Sequence, residues 1–114
     1  MKAVQTLKKN WEFQETFKKG RSYSNSSFVL YVCPLLETKG QLKVAFCAGK
    51  KLGSAVRRNR IKRQMRSVFM DLNEQVKTGF TLILIARGKA EDLDYAQIKD
   101  AIHELFAKAG LLCS

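Results

Sequence analysis

Histidine is nearly missing from this chain. His103 stands alone, with no second imidazole to complete a metal set or a base–nucleophile pair, so it is expected as a solvated or half-buried helix residue. Proline occurs once, at Pro34, and the three cysteines, Cys33, Cys47 and Cys113, form no close metal-type spacing. They are expected as reduced thiols of a cytosolic protein, with Cys33 and Cys47, inside apolar runs, as small core residues. No apolar run nears the roughly 20 residues that span a bilayer; the longest, Phe80 to Ala86, is strand-sized. The first nine residues hold no apolar stretch of secretion-signal length. Gly49-x-x-x-Gly53 lacks the Lys-Ser/Thr that would complete a phosphate loop. Acids are scarce as well: 10 Asp and Glu stand against 21 Lys and Arg in 114 residues, a net charge of +11. Glu91, Asp92 and Asp94 cluster just before a helix, where carboxylates suit the positive helix end, and are expected as capping and solvation. Protein-borne catalysis and a membrane span are thus disfavoured, and a cytoplasmic polyanion is the favoured partner.

The charge is concentrated. Between Lys50 and Arg66 lie eight basic residues and no acidic one. Ile61, Met65, Val68, Phe69, Leu72 and Val76 recur at helical spacing and predict a core-facing stripe, while Asn59, Lys62, Arg63 and Arg66 share the opposite face. Like charges along a helix repel, and burying one without a partner costs several kcal/mol, so the strip requires water or a polyanion. Arginine forks fit phosphate oxygens, and Asn59 can both donate and accept, as contact with a base edge or a 2′-hydroxyl requires.

Around this helix the chain reads as α+β: helix, strands, basic helix, strand, helix, in a small single-domain sandwich over residues 1–114 with a mixed central sheet. Residues 1–9 are basic and unpatterned, a flexible arm. Asn10 is the expected N-cap of a helix over residues 11–19, with Gly20 as a left-handed stop. A short strand is expected at residues 21–24 and a longer one from Phe28 to Leu36, where Pro34 suggests an edge or bulge. Glu37-Thr38-Lys39-Gly40 then closes a hairpin onto Gln41 to Ala48. Ser54 caps the basic helix, which runs to about Gln75. Phe80 to Arg87 is apolar throughout, as an interior strand covered on both faces would be. Asp94 and Gln97 form a capping box for the last helix, whose stripe is Tyr95, Ile98, Ile102, Leu105, Phe106 and Ala109, and Gly110 ends it.

Phe13 and Phe17, four apart, share a helix face, and Tyr31 lies on the strand face opposite Phe28, Leu30 and Val32. Two placements fit these aromatics: core, the default at such spacing, or the floor of a groove for single-stranded nucleic acid, where stacking contributes roughly 1–3 kcal/mol per base. A general or ribosomal RNA-binding protein fits the basic helix too. A DNA-binding regulator fits least, because no helix-turn-helix pair is present.

The block Lys50-Lys51-Leu52-Gly53-Ser54-Ala55-Val56-Arg57-Arg58-Asn59-Arg60-Ile61-Lys62-Arg63 closely resembles the RNR signature of the bacterial ribonuclease P protein family. Asn10, Phe13 and Phe17, Lys18-x-Gly20, Phe28 to Tyr31, Ile85-Ala86-Arg87 and Leu105-Phe106 extend the resemblance over nearly the whole chain, in the family's order. It implies a small RNA-binding subunit that joins a large catalytic RNA. The holoenzyme, a hydrolase, removes the 5′ leader from precursor tRNA with Mg²⁺ held by the RNA, and the protein alone is inactive. It further implies RNA-subunit binding by Lys50, Lys51, Arg58, Asn59, Arg60, Arg63 and Arg66, and leader binding by Phe13, Phe17, Tyr31 and Lys62. An unusual left-handed β-α-β crossover is also implied. So are a cytoplasmic location and partners limited to the catalytic RNA and the leader, with no membrane and no obligate protein partner.

Overall fold

Seven residues without a charge, Phe80–Ala86, have to be covered on both faces, and they run through the centre of the only sheet among the described residues. A computed structural model describes residues 3–7, 9–35 and 41–113. Along them run β1 (Ala3–Thr6), α1 (Asn10–Lys19), β2 (Arg21–Ser24), β3 (Phe28–Pro34), β4 (Gln41–Ala48), α2 (Ala55–Leu72), β5 (Phe80–Ala86) and α3 (Tyr95–Lys108). Turns of 3-10 helix occupy Lys50–Leu52, Asn73–Gln75 and Gly88–Asp92.

The five strands lie in the order β1-β4-β5-β3-β2. β5 is antiparallel to β3, with Leu84 opposite Leu30, and parallel to β4, with Leu82 opposite Val44. A β3–β4 hairpin is therefore not formed, because β5 separates the two strands. The cause is burial: Leu82 and Leu84 on one face and Ile83 on the other are all excluded from water, which an edge position would not allow. Residues 36–40, including the predicted turn, lie outside the described residues. Pro34 extends past the last β2 pair, Arg21 with Val32, so its missing N–H costs that strand no bond.

Part of the expected basic arm is sheet. Ala3–Thr6 pair in parallel with residues 41–44, Val4 packs on the core, and the buried Leu7 donates its N–H to Val44 O at 3.2 Å. Val4 and Leu7 are too few, among lysines, to reveal a strand by alternation.

One sheet face, with Phe28, Leu30, Leu42, Val44, Leu82 and Leu84, buries the apolar stripes of α2 and α3. Phe69 joins them edge to face, 5.7 Å from Phe46 and 6.2 Å from Phe106. Each such side chain removed from water contributes roughly 1.5–3 kcal/mol. Among the described residues, the other face has only α1 above it. There Leu7, Ala45 and Ile83 are buried, but Phe13, Tyr31, Cys47 and Ile85 are only half covered.

Local signals set the helix ends. Ser54 Oγ accepts from Arg57 N (3.4 Å), and Asp94 and Gln97 exchange two bonds, of 2.8 and 3.0 Å, before α3. Gly110, at φ +69°, ends it. α1 departs from expectation at both ends. Lys9, not Asn10, is the N-cap, its N–H donating to Glu12 Oε1 at 3.3 Å. Gly20 is extended, at φ −77°, rather than left-handed. It is glycine for lack of room, since a Cβ there would meet Thr16 O and lie 2.8 Å from Val32 O. α2 ends at Leu72 and passes through the 3-10 turn to Gln75.

Candidate nucleic-acid interface

The buried residues Ile61, Met65, Val68, Phe69 and Leu72 set the rotation of α2 about its axis, and so decide where each cation points. Arg58, Lys62 and Arg66, every fourth residue, border the buried stripe on one flank. Asn59, Arg60 and Arg63 are exposed beyond them. Lys62 and Arg66 thus lie at the margin of the expected outer strip: Lys62 is half-buried, and the Arg66 guanidinium sits 5.8 Å above the Phe46 ring. Arg58 is half-buried, and its Nε is enclosed without a hydrogen-bond partner among the described residues. Within that same set, no carboxylate lies at ion-pair distance from Arg58, Arg60, Lys62, Arg63 or Arg66. Lys50 opens the 3-10 turn before α2, Lys51 is exposed, and buried Leu52 pins that turn to the core.

Arg57 differs from its neighbours. On the other flank of α2 it pairs with Glu91 at 3.1 Å, so one of the eight charges is matched within the chain. Glu91 is therefore more than a solvated carboxylate of the turn before α3. Only the fold, which brings Gly88–Asp92 against the start of α2, reveals this.

The aromatics divide between the two placements the sequence leaves open. Phe13 is half-buried against Leu7, Ala45 and Ile83. Phe17, 43% exposed, stands edge to face on half-buried Tyr31, with centroids 4.8 Å apart at 85°. Beside Tyr31 runs a row the sequence reading missed, Val29, Ile85 and Cys47, in register across β3, β5 and β4 and half-buried throughout. Strand parity already puts Val29 with Tyr31; the register that adds Ile85 and Cys47 needed the strand order. Burial raises the Cys47 thiol above its ordinary pKa, and the positive charge of Lys62 works against that rise. The face thus forms a trough with the α1 aromatics on one side and a partly apolar floor, and Lys62 is half-buried on α2. Cys33 is also half-buried on this face rather than in the core, its thiol raised first by burial and then by Glu15, with Lys19 opposing.

His103 is exposed, and no three His, Cys, Asp or Glu gather to hold a metal among the described residues. Nor is any helix in that set long and apolar enough to cross a membrane.

A family model described as Ribonuclease P matches residues 1–110. The chain is 40% identical over 112 residues to the ribonuclease P protein component of Shouchella clausii, covering 98% of this chain and 91% of that one. The ribonuclease P protein of Staphylococcus aureus superposes with a TM-score of 0.86 at 34% identity, over 95% of this chain and 97% of that one. The Thermotoga maritima protein, at 24% identity and a TM-score of 0.81 over 91% and 96%, shares the fold. With one family model spanning nearly its whole length and a relative of 40% identity, the chain belongs to the ribonuclease P protein family.

Proposed function

We propose that the chain serves as the protein subunit of the tRNA 5′-maturation endoribonuclease, a single cytoplasmic RNA-binding domain working on two RNA surfaces at once. The α2 side chains of Arg58, Asn59, Arg60, Arg63 and Arg66, with Lys50 and Lys51 before them, bind the catalytic RNA. The trough of Phe13, Phe17, Tyr31 and Lys62 takes the single-stranded leader of precursor tRNA. One observation carries the reading: five cations of α2 have no carboxylate at ion-pair distance among the described residues, beside a half-exposed aromatic pair on the less covered sheet face. Such cations gain most from phosphate, and a ring with an open face gains from a base.

Mg²⁺ belongs to the RNA subunit in this reading. The described residues supply no ligand cluster that fits the ion, so no step runs through a protein-bound metal. What the chain contributes is binding and orientation: phosphate neutralisation along α2 and a platform that holds the leader. The test is a binding series with the reconstituted RNA complex, comparing precursor tRNA of increasing leader length with mature tRNA. Leader-bearing substrate is expected to bind more tightly, and Phe17→Ala to remove roughly tenfold of that preference while assembly with the RNA is retained. Equal affinity for the two substrates rejects the reading. A sharp fall in melting temperature without selective loss makes Phe17 a core residue instead.

A further inference from the structure

α1 is held over the sheet by little buried apolar surface. Of its ten residues Thr16 alone is buried, and ten residues are too few for a helix to persist in water unsupported. Under its first turn lies an opening of about 480 Å³ lined by Gln5, Thr6, Lys9, Glu12 and Lys43. A second, of about 320 Å³, shares Glu12 and Lys43 and reaches Cys33 and Thr81. Between the two stands a contact from helix to sheet: Lys43 Nζ on β4 donates to Glu12 Oε2 at 2.8 Å, the side chains 25% and 11% exposed. The same carboxylate accepts the N-cap N–H of Lys9 through Oε1, and Glu12 O accepts from Thr16 Oγ1 at 2.8 Å. At the far end of the helix, Gly20 abuts the backbone of Val32. Phe13 and Phe17 are carried between these two fixed points.

We infer that the Glu12–Lys43 pair is a positioning device for leader recognition: it holds α1 at the height over the sheet that keeps Phe17 on Tyr31 and the trough open to one strand. This rests on the leader-cleft reading and deepens it. The pair acts through the aromatics, and neither member needs to touch RNA. An ion pair so little exposed is screened less than a surface one and fixes distance and direction, which apolar contact beside two open recesses does not.

The reconstituted holoenzyme tests this with Glu12→Gln, Lys43→Met, the double variant and Lys43→Arg. Each is assayed for leader preference (precursor over mature tRNA), for affinity to the RNA subunit and for melting temperature. Glu12→Gln is expected to lower leader preference roughly three- to tenfold while RNA-subunit affinity holds to within about twofold. The sign is diagnostic, because removing a carboxylate near a polyanion would by charge alone strengthen binding. Lys43→Met should give the same loss, the double variant no more than either single one, and Lys43→Arg should retain the preference. Unchanged or increased preference in Glu12→Gln overturns the inference. So do losses that multiply in the double variant, which would put Lys43 on RNA directly, and so does a parallel fall in RNA-subunit affinity. Phe17→Ala, run alongside, separates the two readings: an effect there with none at Glu12 defeats the positioning role alone, and no effect at Phe17 defeats the cleft and the positioning role with it.

Discussion

Two opposed influences act on the Cys47 thiol. Burial favours the neutral thiol and Lys62 favours the thiolate. Lys62→Ala removes the second and should slow alkylation of Cys47 by iodoacetamide at pH 8 several-fold, about tenfold at most, with exposed Cys113 as an internal standard in the mass spectrum. An unchanged rate would place Lys62 away from the trough. Because folding favours the protonated thiol, Cys47 contributes stability that is complete below the pKa of the unfolded chain. It is lost as pH rises through the higher folded value. Strand alternation was enough to place Tyr31 and Val29 on one face and Phe28, Leu30 and Val32 on the other. Helical spacing could not tell the half-buried Phe13 from the exposed Phe17, since depth depends on what packs above a face rather than on which face it is. For the same reason Cys33 and Cys47, plausible core residues by their apolar neighbours, lie on the side that α1 only partly covers.

Elements with local signatures were legible: Ser54 before α2, the Asp94–Gln97 box before α3 and the uncharged run of β5 each mark their own structure. Long-range pairings were not. Nothing between Phe28 and Ala48 announces that a strand some forty residues later will enter between β3 and β4, and the lysine-rich start conceals β1. Gly20 belongs at this scale, since it joins α1 to β2 through a space that admits no Cβ. Gly20→Ala should destabilise the fold by about 1–3 kcal/mol, seen as a lower melting temperature, although its φ is one that alanine adopts freely. If the variant melts like the parent, the close approach to Val32 is not rigid. The contact between the Gly88–Asp92 turn and α2 makes a second prediction. Its Arg57–Glu91 pair is largely exposed and contributes only about 0–1 kcal/mol to stability. Glu91→Gln should therefore leave melting almost unchanged while releasing Arg57 to phosphate. RNA-subunit affinity then rises, and the slope of log K against log salt steepens by up to about one. A flat response would mean that Arg57 faces no RNA.

Over the whole molecule the acids are not spread evenly. Seven of the ten acidic residues fall between Asp71 and Glu104, from the end of α2 through the 3-10 turns to α3, whereas α2 up to Arg66 carries no acid. A polyanion approaching this chain is turned towards one side before any specific contact forms. Arg63→Ala should accordingly reduce the salt slope of RNA-subunit binding by about one, and Glu104→Lys, among the acids of α3, should leave it unchanged. Equal effects at the two sites would mean that net charge alone, not its distribution, drives assembly.

The position of β5 also bears on how the chain is made. Synthesis delivers β3 and β4 first, yet the strand that joins them emerges only with Phe80–Ala86. Until that strand has been made, β3 and β4 each keep an open edge towards it, and their mutual spacing is undefined. The trough floor, with Ile85 at its middle, is completed in that late step. A nascent chain therefore carries its full cationic helix well before it has any cleft in which to hold a strand.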